Sequence, residues 1–299
     1  MHRLLVVASI AALSTAAPAN AQDMADVEIR AEQVAPGVAV LFGRGGNIGV
    51  SHGEDGTILI DDQYAPLTER IQAAIADLGA SPARFVVNTH WHGDHTGGNE
   101  NLAEDGATIV AHDNVRIRLA EGGEIRGNAI APRPDALPVI TYDTGMTFHV
   151  NGDTVDVIYL GGGHTDGDSV VFWREANVLH MGDLFFHEFG WPFIDVDSGG
   201  NALQLLTSLD LAIAMIDEET AVIPGHGPMA TRADLVAYRT MLSMGIDRVR
   251  ALHDEGRSLE EAIAAKPVEG INLHPNLFSQ DDDFVTAVFG SLDGHGHTH

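Results

Sequence analysis

The sequence contains no cysteine among its 299 residues. The chain therefore forms no disulfide bond, and an oxidising compartment neither favours nor harms its folding. No thiolate is available as a metal ligand, and no thiol is available for lipid attachment. A metal site in this protein is expected to use nitrogen and oxygen ligands.

Basic residues are also scarce, with 16 Lys and Arg against 43 Asp and Glu and a formal net charge of −27. A field of this sign repels phosphate groups, so we expect neither nucleic acid nor an anionic membrane surface as a partner. The acidic excess identifies no substrate, because solubility in a salty habitat is sufficient to explain it.

The apolar run at residues 4–13 is too short to span a bilayer. It follows a positively charged start at residues 1–3 and precedes the small-x-small sequence Ala-Asn-Ala at residues 19–21. This order is typical of a signal peptide, here residues 1–21, and it favours export to the periplasm over a membrane anchor.

Residues 22–292 are long enough to form one large domain with a sizeable core. The remaining residues, 293–299, include the sequence Gly-His-Gly-His-Thr-His. We expect this His-rich tail to be a disordered end, with metal scavenging as the alternative.

The densest group of metal-capable side chains lies in Asn-Thr-His-Trp-His-Gly-Asp-His-Thr-Gly-Gly-Asn, residues 88–99. Its members are His90, His92, Asp94 and His95. An apolar run precedes the group, so we expect it where a buried strand ends. Side chains two apart on an extended backbone share a face, so His90 and His92 can bind one ion. The turn at Gly93 directs the other two towards a second position, and such ligands suit zinc.

Three further candidate ligands each follow a short apolar run and lie beside glycine: His164, Asp183 and His226. Their local sequences are Gly-Gly-Gly-His, Met-Gly-Asp and Pro-Gly-His-Gly. Glycine lets the backbone approach a bound ligand closely. Metal centres assembled from several strand ends have this arrangement.

The motif order, His-x-His-x-Asp-His and then His, Asp and His, resembles that of the metallo-β-lactamase-fold superfamily over residues 34–228. The resemblance implies an α/β fold, a four-layer αββα sandwich with two mixed sheets inside. It also implies two zinc ions per chain. One zinc would be held by His90, His92 and His164, and the other by Asp94, His95 and His226. Asp183 would bridge the two ions.

The resemblance further implies a hydrolase in which hydroxide held between the two ions attacks an acyl carbon. Asp94 would be catalytic, because it would orient this nucleophile and carry a proton to the leaving atom. We therefore expect a periplasmic zinc hydrolase that acts on a small-molecule ester, lactone, thioester or amide. The sequence does not give its oligomeric state.

Two residues narrow the chemistry within the superfamily. Di-iron oxidoreductases have a carboxylate where this chain has His92, and mononuclear iron dioxygenases lack a full second site. The β-lactamases proper have Cys, or no bridging carboxylate, at the position of Asp183. The periplasm, to which we expect the chain to be exported, is nevertheless where a β-lactamase acts. A weak or promiscuous β-lactamase is therefore the first alternative. A zinc-binding accessory protein without turnover is the second.

Three carboxylates beside the motifs have candidate supporting roles. Asp61 resembles a family carboxylate that orients a ligand histidine, and capping of a helix at residues 65–78 is the alternative. Asp166 and Asp168 are expected either to accept an N–H bond from a ligand imidazole or to form a turn.

Several other residues and segments are candidates for the surroundings of the site. Arg44 is a candidate for substrate contact, His187 for facing the cleft, and His112 for the site edge or the surface. Residues 121–138 have no apolar period and predict a long loop. Residues 184–201 hold five clustered aromatics: Phe185, Phe186, Phe189, Trp191 and Phe193. They predict an apolar lip beside the metals, or a loop that packs on the core.

Export removes a signal peptide, so mass spectrometry of the exported protein should find an N-terminus at or near Gln22. The cytoplasmic precursor from the same cells is the control and should keep Met1. An intact N-terminal segment in a membrane fraction would contradict the prediction.

Overall fold

The computed structural model describes residues 24–294. The predicted signal peptide, residues 1–21, and residues 295–299 of the His-rich tail lie outside the described residues. Within the described part of the chain, none of the helices has both the length and the apolar character that crossing a membrane requires.

The N-terminal half forms a seven-stranded sheet, because short apolar runs alternate there with glycine turns. Its strands are β1 (Arg30–Ala35), β2 (Val38–Phe42), β3 (Ile48–Gly53), β4 (Gly56–Ile60), β5 (Ala83–Asn88), β6 (Thr108–His112) and β9 (Ile140–Tyr142), in that spatial order. The first four strands pair antiparallel, and β4, β5, β6 and β9 pair parallel.

The second sheet has six strands. They are β10 (Gly145–Val150), β11 (Asp153–Tyr159), β12 (Ser169–Trp173), β13 (Val178–His180), β14 (Ala221–Ile223) and β15 (Ala230–Thr231). All neighbours pair antiparallel except β13 and β14, which pair parallel. The carboxyl ends of β13 and β14 therefore lie side by side.

Helices cover the outer face of each sheet, except for the four-residue helix Gly93–Thr96, which lies at the end of β5. They are α1 (Thr68–Asp77), α2 (Gly93–Thr96), α3 (Asn99–Glu104), α4 (Asp113–Glu121), α5 (Ala202–Met215), α6 (Arg232–Asp254), α7 (Leu259–Ala264) and α8 (Asp281–Leu292). Buried residues of α1 and α3 pack on the first sheet, and those of α5, α6 and α8 pack on the second.

The core between the sheets is built from β-branched and aromatic side chains that both sheets contribute. Val40 and Ile60 of the first sheet belong to one buried cluster with Val157 and Trp173 of the second. Burying each such side chain stabilises the fold by roughly 1.5–3 kcal/mol. The predicted four-layer αββα sandwich is thereby confirmed.

The prediction of a structureless loop at residues 121–138 is wrong. This segment contains a hairpin of β7 (Gly123–Ile125) and β8 (Asn128–Ile130), followed by a 3-10 turn at Pro134–Ala136. Each strand has only three residues and one large apolar side chain, which is too little for a period-2 pattern to be recognised. The hairpin is held by packing of Ile125 and Ile130 on the buried cluster that includes Trp91.

Candidate metal centre

The loops at one end of the sandwich bring together all seven side chains that the motifs single out. The first sheet supplies four of them, from the end of β5 and from α2: His90, His92, Asp94 and His95. The second sheet supplies three, from the segments after β11, β13 and β14: His164, Asp183 and His226. Residues more than 130 positions apart therefore meet at the seam between the sheets.

The first cluster consists of His90, His92, His164 and Asp183, all buried. His92 donates from Nε2 to Asp195 Oδ2 at 2.8 Å, so its Nδ1 is the ring nitrogen that faces the cluster. His164 donates from Nδ1 to the Phe193 carbonyl at 2.6 Å, so its Nε2 carries a lone pair. That nitrogen lies 2.9 Å from His92 Nδ1, at hydrogen-bond distance. Both nitrogens therefore point to one position, where a cation can bind the two of them in place of that hydrogen bond.

The second cluster consists of Asp94, His95 and His226. His95 donates from Nδ1 to Asp61 Oδ2 at 2.7 Å, so its Nε2 is the ring nitrogen that faces the cluster. That nitrogen lies 3.3 Å from His226 Nε2, and Asp94 Oδ2 also lies 3.3 Å from His226 Nε2. Two imidazoles and one carboxylate thus converge on a second position.

Asp183 belongs to the first cluster and also contacts the second. Its Oδ1 is 3.1 Å from His95 Nε2, and its Oδ2 is 3.5 Å from His164 Nε2. Within the described residues, Asp183 Oδ1 and His90 Nε2 are buried without a hydrogen-bond partner. Buried polar atoms without partners are costly in a protein interior, so these atoms point to a group that binds them. Nitrogen and carboxylate donors in this number fit two zinc-sized cations.

The carboxylates around His95 control its charge. Burial alone would lower the pKa of His95, but Asp183, Asp61 and Asp94 outweigh burial and hold that pKa well above its ordinary value. Burial would raise the pKa of Asp183, but His95 and His226 hold it well below the usual range. Asp183 is therefore ionised at neutral pH, as a carboxylate that binds a cation must be.

Two histidines of the first cluster are held in the neutral state. Burial lowers the pKa of His164 to about 4 and the pKa of His90 well below its ordinary value. Neutral imidazoles keep a lone pair for a metal ion, so no proton has to be displaced before they bind one.

Asp61 hydrogen-bonds His95, as predicted, and does not cap the following helix. Its Oδ1 accepts from Thr89 N and its Oδ2 from Thr89 Oγ1, both at 2.8 Å. The 3-10 turn and α1 that follow begin after Tyr64 and Leu67. Asp61 therefore fixes the tautomer and the orientation of the His95 ring.

The prediction that Asp166 or Asp168 holds a ligand imidazole is wrong, and the turn alternative fits Asp168. Asp168 accepts from the backbone N–H groups of His164 and Thr165. Asp166 forms a two-point ion pair with Arg118. Imidazoles of the first cluster are instead held by Asp195 and the Phe193 carbonyl, and the Thr89 hydroxyl contacts His90. No motif in the sequence marked these groups for that role.

Two glycines allow the clusters to be this compact. A Cβ at Gly46 would lie 2.1 Å from the His95 ring, and a Cβ at Gly225 would lie 2.1 Å from Asp183 Oδ1. Any side chain at either position would displace the candidate ligand beside it.

A cleft of about 320 Å³ opens onto the two clusters. Besides cluster residues, its walls include Tyr64, Ile125, Arg126, Phe186, Phe193 and Phe278. For the aromatic segment at residues 184–201, the predicted apolar lip and the alternative of a loop packed on the core are each correct in part. Phe186 and Phe193 line the cleft, whereas Trp191 is fully buried and stacks on Phe284 at 4.0 Å. Tyr64, Arg126 and Phe278 reach the cleft from segments without a chemical motif, so no local pattern marked them as cleft residues.

Three further candidates from the sequence are not among the described residues that line this cleft: Arg44, His112 and His187. Arg44 is exposed on its glycine turn. His112 is buried and caps α4, since its Nδ1 accepts from Asn114 N at 3.1 Å, so both predictions for it are wrong. His187 donates from Nδ1 to the Pro228 carbonyl at 3.0 Å and faces a neighbouring cavity behind Phe186.

Comparison with known proteins identifies relatives with the same fold. The profile of the metallo-beta-lactamase superfamily matches residues 41–226. The chain is 26% identical over 214 residues to the beta-lactamase-like protein 2 homolog of Caenorhabditis elegans, covering 68% of this chain but only 64% of that protein. It is 29% identical over 234 residues to a hydroxyacylglutathione hydrolase of Methylococcus capsulatus, covering 72% of this chain and 78% of that protein.

Among solved structures, a metallo-beta-lactamase from Pontibacter korlensis is similar with a TM-score of 0.58 and 22% identity. The match covers 72% of this chain and 99% of that chain. At this identity the likeness shows the fold alone.

We predict that Asp61→Asn weakens metal binding at the second cluster, because the amide cannot hold His95 as the carboxylate does. The affinity should fall about 10- to 100-fold, as for other partners of metal ligands. Competition against a chromogenic chelator measures this change.

Asp62→Asn is the matched control. The Asp62 side chain is as buried as that of Asp61, but it accepts from the Gly98 backbone N–H and, within the described part of the chain, makes no hydrogen bond to a cluster side chain. Equal losses of affinity in the two variants would contradict the role of Asp61.

Proposed function

Because the chain belongs to the metallo-beta-lactamase superfamily and is a metal-dependent hydrolase, we propose that it is a dinuclear zinc enzyme that hydrolyses a small ester, lactone, thioester or amide. The observation that carries the proposal is that Asp183 contacts both clusters, within 3.5 Å of His164 and 3.1 Å of His95. A site for one ion would not account for the convergence of Asp94, His95 and His226 on a second position.

Two bound zinc ions would lower the pKa of a water ligand and polarise the acyl carbonyl. Three histidines, His90, His92 and His164, would hold one ion. Asp94, His95 and His226 would hold the other, with Asp183 shared. We infer these roles from donor type and convergence.

Asp94 is the residue that this geometry favours for proton transfer. Burial would raise its pKa, but His95 and His226 outweigh burial and lower it, so the side chain is a carboxylate at neutral pH. It is also part of the cleft wall, where it can accept a proton from the nucleophile and pass it to the leaving group. Burial raises the pKa of Tyr64, on the same wall, to about 12, so its hydroxyl can donate a hydrogen bond to substrate.

Acyl substrates are favoured for two reasons. The Methylococcus capsulatus relative is named for a hydroxyacylglutathione substrate, and acylglutathiones are thioesters. The cleft walls are mainly apolar and aromatic, and they suit a small molecule with a hydrophobic part. We propose the periplasm as the location, on the basis of the signal-peptide pattern in residues 1–21.

The proposal predicts turnover of at least one compound in a panel of chromogenic esters, lactones, thioesters and β-lactams. Turnover should disappear on chelation and return with zinc, since the chemistry requires the metal. Initial rates for metal-loaded and chelated protein provide the measurement. Preference for β-lactams would favour the β-lactamase alternative, and a zinc-loaded protein without turnover would favour the accessory protein.

The proposal also predicts about two zinc per chain after mild purification, and a lower zinc content in Asp183→Ala, which loses a ligand from both ions. Turnover should fall by at least about 100-fold, because loss of a residue that only hydrogen-bonds a metal ligand can already cost that much. Elemental analysis and initial rates measure the two effects.

Asp156→Ala is the control, since it removes a buried carboxylate that pairs with Arg174 and should keep both ions. Two full-occupancy zinc ions in Asp183→Ala would refute the bridge. One tightly bound iron in the native protein would refute the zinc assignment.

A further inference from the structure

The hairpin that the sequence analysis missed carries a cation into the cleft. Arg126 and Gly127 form its two-residue turn, with φ values of 51° and 74°. Positive φ at both positions matches the tight turn that the twist of a hairpin favours. The turn places the Arg126 side chain in the cleft wall, while the packing of Ile125 on the core holds the hairpin in place.

Two aromatic residues that also contact the clusters hold the guanidinium group. It lies over the Phe193 ring at 4.2 Å, and its Nη2 donates to the Phe278 carbonyl. The Phe193 ring in turn stacks on the ring of His92 with centroids 5.8 Å apart. The Phe278 ring lies 4.7 Å from the ring of His226. The Arg126 guanidinium is thus held near both clusters, with the Phe193 ring between it and the ring of His92.

Arg126 is the only Lys or Arg among the described residues that line this cleft. Within residues 24–294, no carboxylate lies at ion-pair distance from it, although the chain has 43 acidic residues. One of its five N–H donors is used by Phe278. A guanidinium with free donors is suited to bind a carboxylate with two hydrogen bonds.

We propose that Arg126 determines specificity by binding a carboxylate of the substrate, and this inference rests on the proposed function of the cleft. The substrate class is an acyl compound with a flexible apolar chain between the scissile carbonyl and a terminal carboxylate. The chain packs along Phe193 and Phe278, which lie between Arg126 and the clusters. The net charge of −27 disfavours anions in general, so a carboxylate substrate requires a local cation of this kind.

The test compares two 4-nitrophenyl esters of adipic acid, one with a free terminal carboxylate and one with that carboxylate methylated. Arg126→Gln should lower kcat/KM for the free acid about 10- to 100-fold, the value of hydrogen bonds to a charged group. Most of the change should be in KM. The methylated ester should change about 2-fold or less on the same scale, because it makes no such bonds. Arg126→Lys should lie between wild type and Arg126→Gln.

Arg44→Gln is the matched control, since it removes the same charge from an exposed turn outside the cleft walls. It should leave the ratio of the two kcat/KM values unchanged. Equal losses for both esters in Arg126→Gln would show that Arg126 only pins the hairpin to Phe193 and Phe278. No loss for either ester would also overturn the proposal.

A binding measurement keeps the inference separate from catalysis. Calorimetry with zinc-loaded protein compares adipate with hexanoate, which differ by one terminal carboxylate. Wild type should bind adipate about 10-fold more tightly, and Arg126→Gln should lose this advantage. An Arg126-dependent advantage without hydrolysis of any ester would support the inference and refute the proposed function. Ester hydrolysis without tighter binding of adipate than of hexanoate would support the proposed function and refute the inference about Arg126.

Discussion

The buried carboxylate of Asp61 is the constraint on which the site depends. It is wholly removed from solvent, and a carboxylate in that position is stable only when donors surround it. Thr89 supplies two donors and His95 supplies a third, so one side chain joins the end of β4, the end of β5 and the helix α2. The fold needs these hydrogen bonds to compensate a buried charge, and the site needs the same bonds to aim an imidazole. Structural and chemical requirements therefore coincide at one residue.

The two sheets contribute unequal but complementary halves of the centre. The first sheet provides a continuous local motif, whereas the second provides three separate side chains after three different strands. The distance between the halves is set by the core between the sheets, where Val40 and Ile60 meet Val157 and Trp173. A core substitution far from the cleft can thus change the spacing of the clusters, because packed interiors transmit small displacements.

The sequence was sufficient for the layered fold and for the seven clustered side chains, since both depend on local signals. Apolar runs mark the strands, and glycine beside a polar residue marks the strand ends, as at Asp183 and His226. Apart from Asp61, the supporting groups gave no such signal. Asp195 and the Phe193 carbonyl lie in an aromatic segment without a period, and Arg126 lies in a hairpin with three-residue strands. Tertiary packing alone brings them to the site, so a pattern of neighbours along the chain could not reveal them.

The absence of cysteine has a consequence for durability. A thiolate ligand is a target for peroxide and hypochlorous acid, which convert it to sulfenic and then to irreversible higher oxides. Every candidate ligand here is an imidazole or a carboxylate, and neither enters that series of oxidations. The donor set therefore contains no group that thiol oxidation can remove, in contrast to a metal centre with a cysteine ligand.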